Sequence, residues 1–85
     1  NKVKNSKSKL SYKFQYELDQ LPSQIKNIQQ ELENIKNELK DTNLYLENHD
    51  RYQQITSKME ILSSDLSIKE NRWYELVKME EDLVS

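Results

Sequence analysis

The stretch from Leu21 to Leu39 repeats apolar residues at alternating spacings of four and three. Nearly every residue between them is Gln, Asn, Glu or Lys, so a helix formed here carries one narrow apolar stripe. A stripe of this kind is buried by one partner helix, while the other faces stay in water. The pattern therefore predicts a coiled-coil helix. Its seam positions are Leu21, Ile25, Ile28, Leu32, Ile35 and Leu39.

The first helix is predicted to run from about residue 11 to 40. Phe14 and Leu18 extend the heptad seam towards the N-terminus, and Ser11 precedes them as an N-cap. Pro22 lacks a backbone N–H and clashes with the preceding turn. Because the apolar spacing continues through Pro22 unchanged, we expect a kink at this point rather than a break.

A second heptad pattern extends from Tyr52 to Leu83 and predicts a second helix over about 49–83, with Asn48 as its N-cap. The connection, residues 41–48, is short, and helices joined in this way fold back on each other. The sequence thus predicts an all-α, two-helix antiparallel coiled-coil hairpin over residues 10–85. Residues 1–9 are predicted to form a basic linker or arm.

The two apolar positions of a heptad are named a and d. One alignment of the two seams places every residue at position a opposite a residue at position d of the other helix, and the numbers of facing residues then total 94. In this register Trp73 lies against Leu21, beside the expected kink, and is a core residue rather than a stacking surface. Leu18 faces Leu76. The other contacts expected are Leu39 with Ile55, Glu38 with Lys58, and a like-charge approach of Glu31 to Asp65.

Composition excludes several classes of function. A chain of 85 residues holds one small domain without an enclosed substrate cavity. With no Gly it has no glycine-rich phosphate loop, and with no Cys it has no disulfide or thiolate metal site. No apolar run is long enough to span a bilayer, so we expect a cytoplasmic protein with no membrane partner. Because the chain begins with Asn, we expect it to be a piece of a larger protein.

Charge is distributed unevenly along the chain. Residues 1–16 contain five lysines and no acidic residue, whereas residues 17–85 contain eight cations and fifteen acids. Lysines neutralise phosphates, and exposed tyrosines stack on unpaired bases. The hairpin brings three further cations of the second helix to the same end. The candidate nucleic-acid-binding residues are Lys2, Lys4, Lys7, Lys9, Tyr12, Lys13, Tyr16, Lys69, Arg72 and Lys78.

Each candidate also has a plainer interpretation. We expect residues 1–9 to be an unstructured domain boundary rather than a nucleic-acid-binding arm, and Tyr12 and Tyr16 to pack in the core or lie on a solvated helix face rather than stack on bases. His49 is the only histidine, so we predict no metal or catalytic site. The connection contains three apolar residues, Leu44, Tyr45 and Leu46. We expect them to fold over the last layer of the core; the alternative is that they form an exposed docking site for another protein.

Three segments together resemble a known module, the C-terminal domain of Uup-type ABC-F ATPases. Leu10–Lys13, continued by Gln15, Glu17, Leu18 and Leu21-Pro22, is similar to that family's opening motif LSYKEQ-x-EL-xx-LP. Asp41–Tyr45 is similar to its D-P-x-F-Y tip and Arg72–Leu76 to its RWEEL motif. The likeness covers about residues 9–80. Phe14 stands where the family has Glu, so Ser11 caps the helix without a capping box.

The resemblance implies a parent protein with two tandem ATP-hydrolysing cassettes, which would use ATP and Mg, followed by this hairpin. It also implies DNA binding and, for the wider group, action at the ribosome. We therefore expect a monomeric, non-enzymatic arm without a cofactor of its own, which docks the ATPase on DNA or ribosomal RNA. The alternative is a structural spacer or a protein–protein interaction coiled coil that binds no nucleic acid.

Overall fold

A computed structural model describes residues 10–84 and contains three helices in that range: α1 Tyr12–Leu39, α2 Thr42–Glu47 and α3 His49–Val84. The two long helices pack against each other, and α2 packs on α3 at the turn between them. The described chain is a rod of 68 × 16 × 15 Å. The predicted all-α antiparallel hairpin is confirmed.

Polar side chains define the helix starts. The Ser11 hydroxyl accepts a hydrogen bond from the backbone N–H of Phe14, and the Asn48 side-chain oxygen accepts one from Arg51. Both residues were predicted to be N-caps, and both predictions are confirmed. The Asp41 carboxylate caps α2 in the same way. These three caps satisfy N–H groups that a helix leaves without an internal partner.

Pro22 lies inside α1 and is exposed to solvent. The helix continues on both sides of it. Leu21 before the proline and Ile25 after it pack in the same apolar cluster, so α1 keeps one face directed at α3. The proline therefore does not end the helix, and the kink itself remains a prediction.

The core is a single apolar seam that is thickest at the end of the rod holding Leu10 and Leu83, called here the base. There, buried Leu10, Leu18, Leu21 and Leu76 form a cluster, against which Phe14, Ile25, Val77 and Leu83 pack. Leu76 is completely buried. Towards the other end of the rod, the tip, the buried residues are Ile28, Leu32, Ile35 and Ile55.

The register differs from the predicted one in the polar contacts beside the seam. Glu38 pairs with Arg51 instead of Lys58, and Glu31 pairs with Lys58 instead of approaching Asp65. A third interhelical pair joins Glu17 to Arg72, and the residue numbers of each pair total 89. The observed alignment replaces the predicted like-charge contact of Glu31 with a salt bridge. Leu18 and Leu76, predicted to face each other, do share the base cluster.

The prediction that Trp73 is a core residue is wrong. Its relative exposure is 38%, and it does not belong to the base cluster, whereas Leu76, three residues further on, is fully buried. Two helices enclose only a narrow stripe between them, with no third layer to cover the far edge of an indole. Leucine fits that stripe, so Leu76 rather than Trp73 fills it.

Candidate nucleic-acid interface

Tyr12, Lys13 and Tyr16 lie together on the solvent face of the first turns of α1. The two tyrosines are 85% and 58% exposed, and Lys13 is also exposed. The tyrosine rings lie one helical turn apart, with centroids separated by 6.4 Å and planes inclined by 28°. Core packing, one of the plainer interpretations of these tyrosines, is therefore excluded.

The local sequence explains why the tyrosines point outwards. Leu10, Phe14 and Leu18 recur every four residues and pack into the base cluster. Residues two positions away from these apolar anchors lie about 200° around the helix, on its opposite side. The anchors therefore fix the orientation of Tyr12 and Tyr16 towards solvent.

Arg72 on α3 reaches across to α1 at the same level of the rod. Its Nε and Nη2 donate to the two carboxylate oxygens of Glu17 at 2.6 and 3.0 Å, and its Nη1 donates to Glu75 at 3.4 Å. The guanidinium carbon lies 5.5 Å from the centre of the Phe14 ring. A two-pronged bond to a carboxylate combined with a ring contact fixes a guanidinium in both position and orientation.

The ionisation of this pair follows from the contact. The hydrogen bond from Arg72 lowers the pKa of Glu17 below its ordinary value, and the charges of Arg72 and Lys13 act in the same direction, against partial desolvation. The hydrogen bond to Glu17 raises the pKa of Arg72 in return. Both groups are charged at neutral pH, so Arg72 acts as an interhelical clamp whose charge is compensated by its carboxylate partners.

The other predicted cations are placed unequally. Lys69 donates to Asp65 on its own helix at 3.0 Å, and Lys78 is exposed on α3 towards the base. Lys2, Lys4, Lys7 and Lys9 lie outside the described residues. The structure thus brings Lys13 and the two tyrosines together, while Lys69 and Arg72 engage carboxylates.

Sequence reasoning missed the clamp formed by Glu17 and Arg72. Its signal was available, because Glu17, Glu31 and Glu38 all immediately precede a seam position of the first helix, where coiled coils place interhelical ion pairs. Arg51, Lys58 and Arg72 occupy the equivalent position of the second helix.

The tip carries an aromatic cluster far from the base. Tyr45 packs edge-on against His49 at 5.2 Å and against Tyr52 at 4.9 Å between ring centroids. Leu44 is half-buried, but Leu46 is 79% exposed, so the prediction that it folds over the core is wrong. Within residues 10–84, no group of three or more His, Asp or Glu side chains is arranged to hold a metal ion.

Residues 9–78 match the family model of the ABC transporter C-terminal domain. The chain belongs to this family. The match takes in the whole of α1, the tip and α3 as far as residue 78, and therefore all the described candidate residues of the interface. A search of curated proteins and a search of solved structures each gave no significant match. In this ABC transporter C-terminal domain, none of the described helices is both long and apolar enough to cross a membrane.

Proposed function

We propose that this domain is the nucleic-acid-binding C-terminal arm of a Uup-type ABC-F ATPase and docks that ATPase on DNA or ribosomal RNA in the cytoplasm. The observation that carries the proposal is the exposed surface of Tyr12, Lys13 and Tyr16. It directly follows a segment with four lysines and no acidic residue. ATP and Mg would be bound by the parent cassettes and not by this arm.

The chemistry of this surface suits a flexible or unpaired strand. Lysines attract the phosphate backbone irrespective of sequence, and the two exposed phenol rings, inclined to each other by 28°, offer faces on which bases can stack. Bases stack on such rings only when they are not already stacked in a duplex. The surface therefore favours single-stranded, looped or branched nucleic acid over an intact duplex.

Electrostatics near the tyrosines supports the same conclusion. Glu17 is the first acidic residue of the chain and lies one turn beyond Lys13. Its carboxylate is held by Arg72, so its charge is compensated within the protein. A phosphate approaching Lys13 and the lysines before it therefore meets less repulsion than the sequence alone indicates.

Binding is measured by fluorescence anisotropy with labelled single-stranded DNA, branched DNA and an RNA hairpin. If five lysines contact phosphates, the logarithm of the affinity falls with the logarithm of salt concentration at a slope of about −4. Absence of binding to all three probes at about 50 mM salt would contradict the proposal for this domain and favour the spacer or protein-interaction alternative.

Two double charge-reversal variants test whether the base or another part of the rod binds nucleic acid. The double variant Lys9→Glu/Lys13→Glu is expected to lose most of the affinity. Lys26→Glu/Lys36→Glu makes the same change in charge further along α1, at two exposed positions, and is expected to retain more of it. Helical circular dichroism checks that both variants fold. Equal losses in the two variants would mean that net charge alone, and no defined surface, governs binding.

The tyrosines are tested by removing the rings. Each stacked base is worth about 1–3 kcal/mol by alanine substitution, so the loss of both rings in Tyr12→Ala/Tyr16→Ala is expected to weaken single-strand binding by about 30-fold or more. The Phe variants at both positions keep the rings and are expected to bind like the wild type. Tyr74→Ala, which removes an exposed tyrosine of α3, is the matched control.

A further inference from the structure

The rings of Tyr12 and Tyr16 are spaced almost widely enough to hold one further flat ring between them. Their planes are inclined by 28° and their centroids are 6.4 Å apart. Rings in face contact have planes about 3.5–4.0 Å apart, so these two rings do not cover each other's faces. A third ring stacked between them requires about 7 Å between the outer two. The observed separation is therefore close to that of the outer layers of a three-layer stack.

The helix sets this spacing. Residues four apart lie on one side of a helix and are separated by about 6 Å along its axis. The centroid separation of Tyr12 and Tyr16 is close to this rise, so one ring follows the other along the axis of α1. Both side chains are mostly exposed, so the gap between the rings opens to solvent. Exposed side chains change conformation within nanoseconds, and the rings can therefore separate by the remaining fraction of an ångström.

We infer that Tyr12 and Tyr16 together hold one unpaired base between their rings, in what is called here the base slot. Its ligand is a purine nucleotide within a single strand, because a purine has a larger face than a pyrimidine and stacks more strongly. The inference rests on the proposed nucleic-acid function and adds one element to it: both rings contact the same base instead of two neighbouring bases.

Charge on the two sides of the base slot orients the strand. Lys13 is exposed on one side. On the other side, Nε2 of Gln15 donates to Oδ1 of Asp19 at 3.0 Å, so this side carries a carboxylate. A phosphate is attracted by the lysine and repelled by the carboxylate. A nucleotide whose base lies in the base slot therefore has its phosphate on the side of Lys13.

A probe with a single base distinguishes one shared base from two separate bases. This one-base strand is single-stranded DNA of about ten nucleotides, in which one 2-aminopurine, a fluorescent purine, stands among abasic sites. Stacking on a tyrosine ring quenches the fluorescence, and the strand contains no other base that could quench it. A strand of the same length with a base at every position is the ordinary ligand. Helical circular dichroism checks that each variant folds.

In the base slot the single base contacts both rings. Tyr12→Ala and Tyr16→Ala are therefore each expected to weaken binding of the one-base strand by about five-fold or more and to restore part of its fluorescence. If the rings act separately, the base can use either of them, and the loss of one ring costs at most about two-fold. Lys13→Gln is expected to reduce the salt slope by about one and to leave the fluorescence quenched at saturating protein.

Moving one ring by a helical turn tests the spacing. Tyr16→Ala/Gln20→Tyr keeps two tyrosines on α1, but it places them about 12 Å apart along the axis, too far to share a base. Gln20 is exposed, so the substitution leaves the core intact. This variant is expected to bind the one-base strand as weakly as Tyr16→Ala does, and to bind the ordinary strand more tightly than Tyr16→Ala does.

The outcomes separate the base slot from the proposed function. Losses of at most about two-fold for both single alanine variants on the one-base strand would overturn the base slot. Equal binding of that strand by the wild type and by Tyr16→Ala/Gln20→Tyr would overturn it as well. In both cases the proposed function stands if the wild type binds the ordinary strand. Failure of the wild type to bind the ordinary strand would contradict the proposed function, and the base slot with it.

Discussion

Truncation of Leu76 is the most direct test of how the hairpin is held together. Leu76 is the one described side chain that is completely buried, and Leu10, Leu18 and Leu21 belong to its cluster. Leu76→Ala removes the burial of the isobutyl group and leaves a cavity among neighbours fixed by their own helix. Substitutions of this kind cost about 2–5 kcal/mol, and the complete enclosure of Leu76 leads us to expect about 3 kcal/mol. In a domain of this size, that lowers the melting temperature by about 12–24 °C.

The measurement is urea and thermal unfolding followed by circular dichroism. Leu46→Ala is the matched control, because it makes the same substitution at a leucine that is 79% exposed, and it should change stability by less than about 0.5 kcal/mol. Trp73→Ala is measured beside them. A cost below about 1 kcal/mol for Leu76→Ala would refute the observed core, and a cost for Trp73→Ala larger than that for Leu76→Ala would show that Trp73 is a core residue after all.

Three further predictions concern polar groups. The pKa of Glu17 is lowered in the folded state, so its bond to Arg72 stabilises the hairpin above the ordinary value of 4.5 and stops doing so as pH falls through the lowered value. The melting temperature of the wild type should therefore decline more steeply below pH 4.5 than that of Glu17→Gln, and parallel pH profiles would contradict this. Exchanging the two charges in Glu17→Arg/Arg72→Glu should recover stability that either single reversal loses, as thermal unfolding would show. Asn48→Ala should cost about 1 kcal/mol in urea unfolding, because it removes the α3 cap; no change would mean that water replaces the cap.

Sequence patterns were enough for the elements of the fold. Heptad spacing located both long helices, and Ser11 and Asn48 were recognised as caps because a helix start requires a side-chain acceptor. The short connection implied an antiparallel return. These features are decided within a few residues of the chain, so a single sequence contains the necessary information.

The register and the site depended on contacts between distant residues. If one heptad helix slides along the other by seven residues, apolar residues still face apolar residues. The seam alone therefore does not determine whether Arg51 or Lys58 meets Glu38. For the same reason Arg72 was assigned to nucleic acid, since its partner Glu17 lies 55 residues away in the chain. The exposure of Tyr12 and Tyr16 needed the position of the base cluster, which the sequence did not specify.

The interhelical ion pairs recur at intervals of seven residues, except at one level. Pairs join the helices at Glu38, Glu31 and Glu17. The position seven residues before Glu31 is Gln24, which has no charge, and Asp65 on the facing part of α3 bonds Lys69 of its own helix instead. This level adjoins Pro22, which removes one internal hydrogen bond from α1. Between the clamped base and the doubly bridged tip, the rod therefore has a section joined by apolar contacts alone. Bending should concentrate in that section, which would act as an elbow between two stiffer halves.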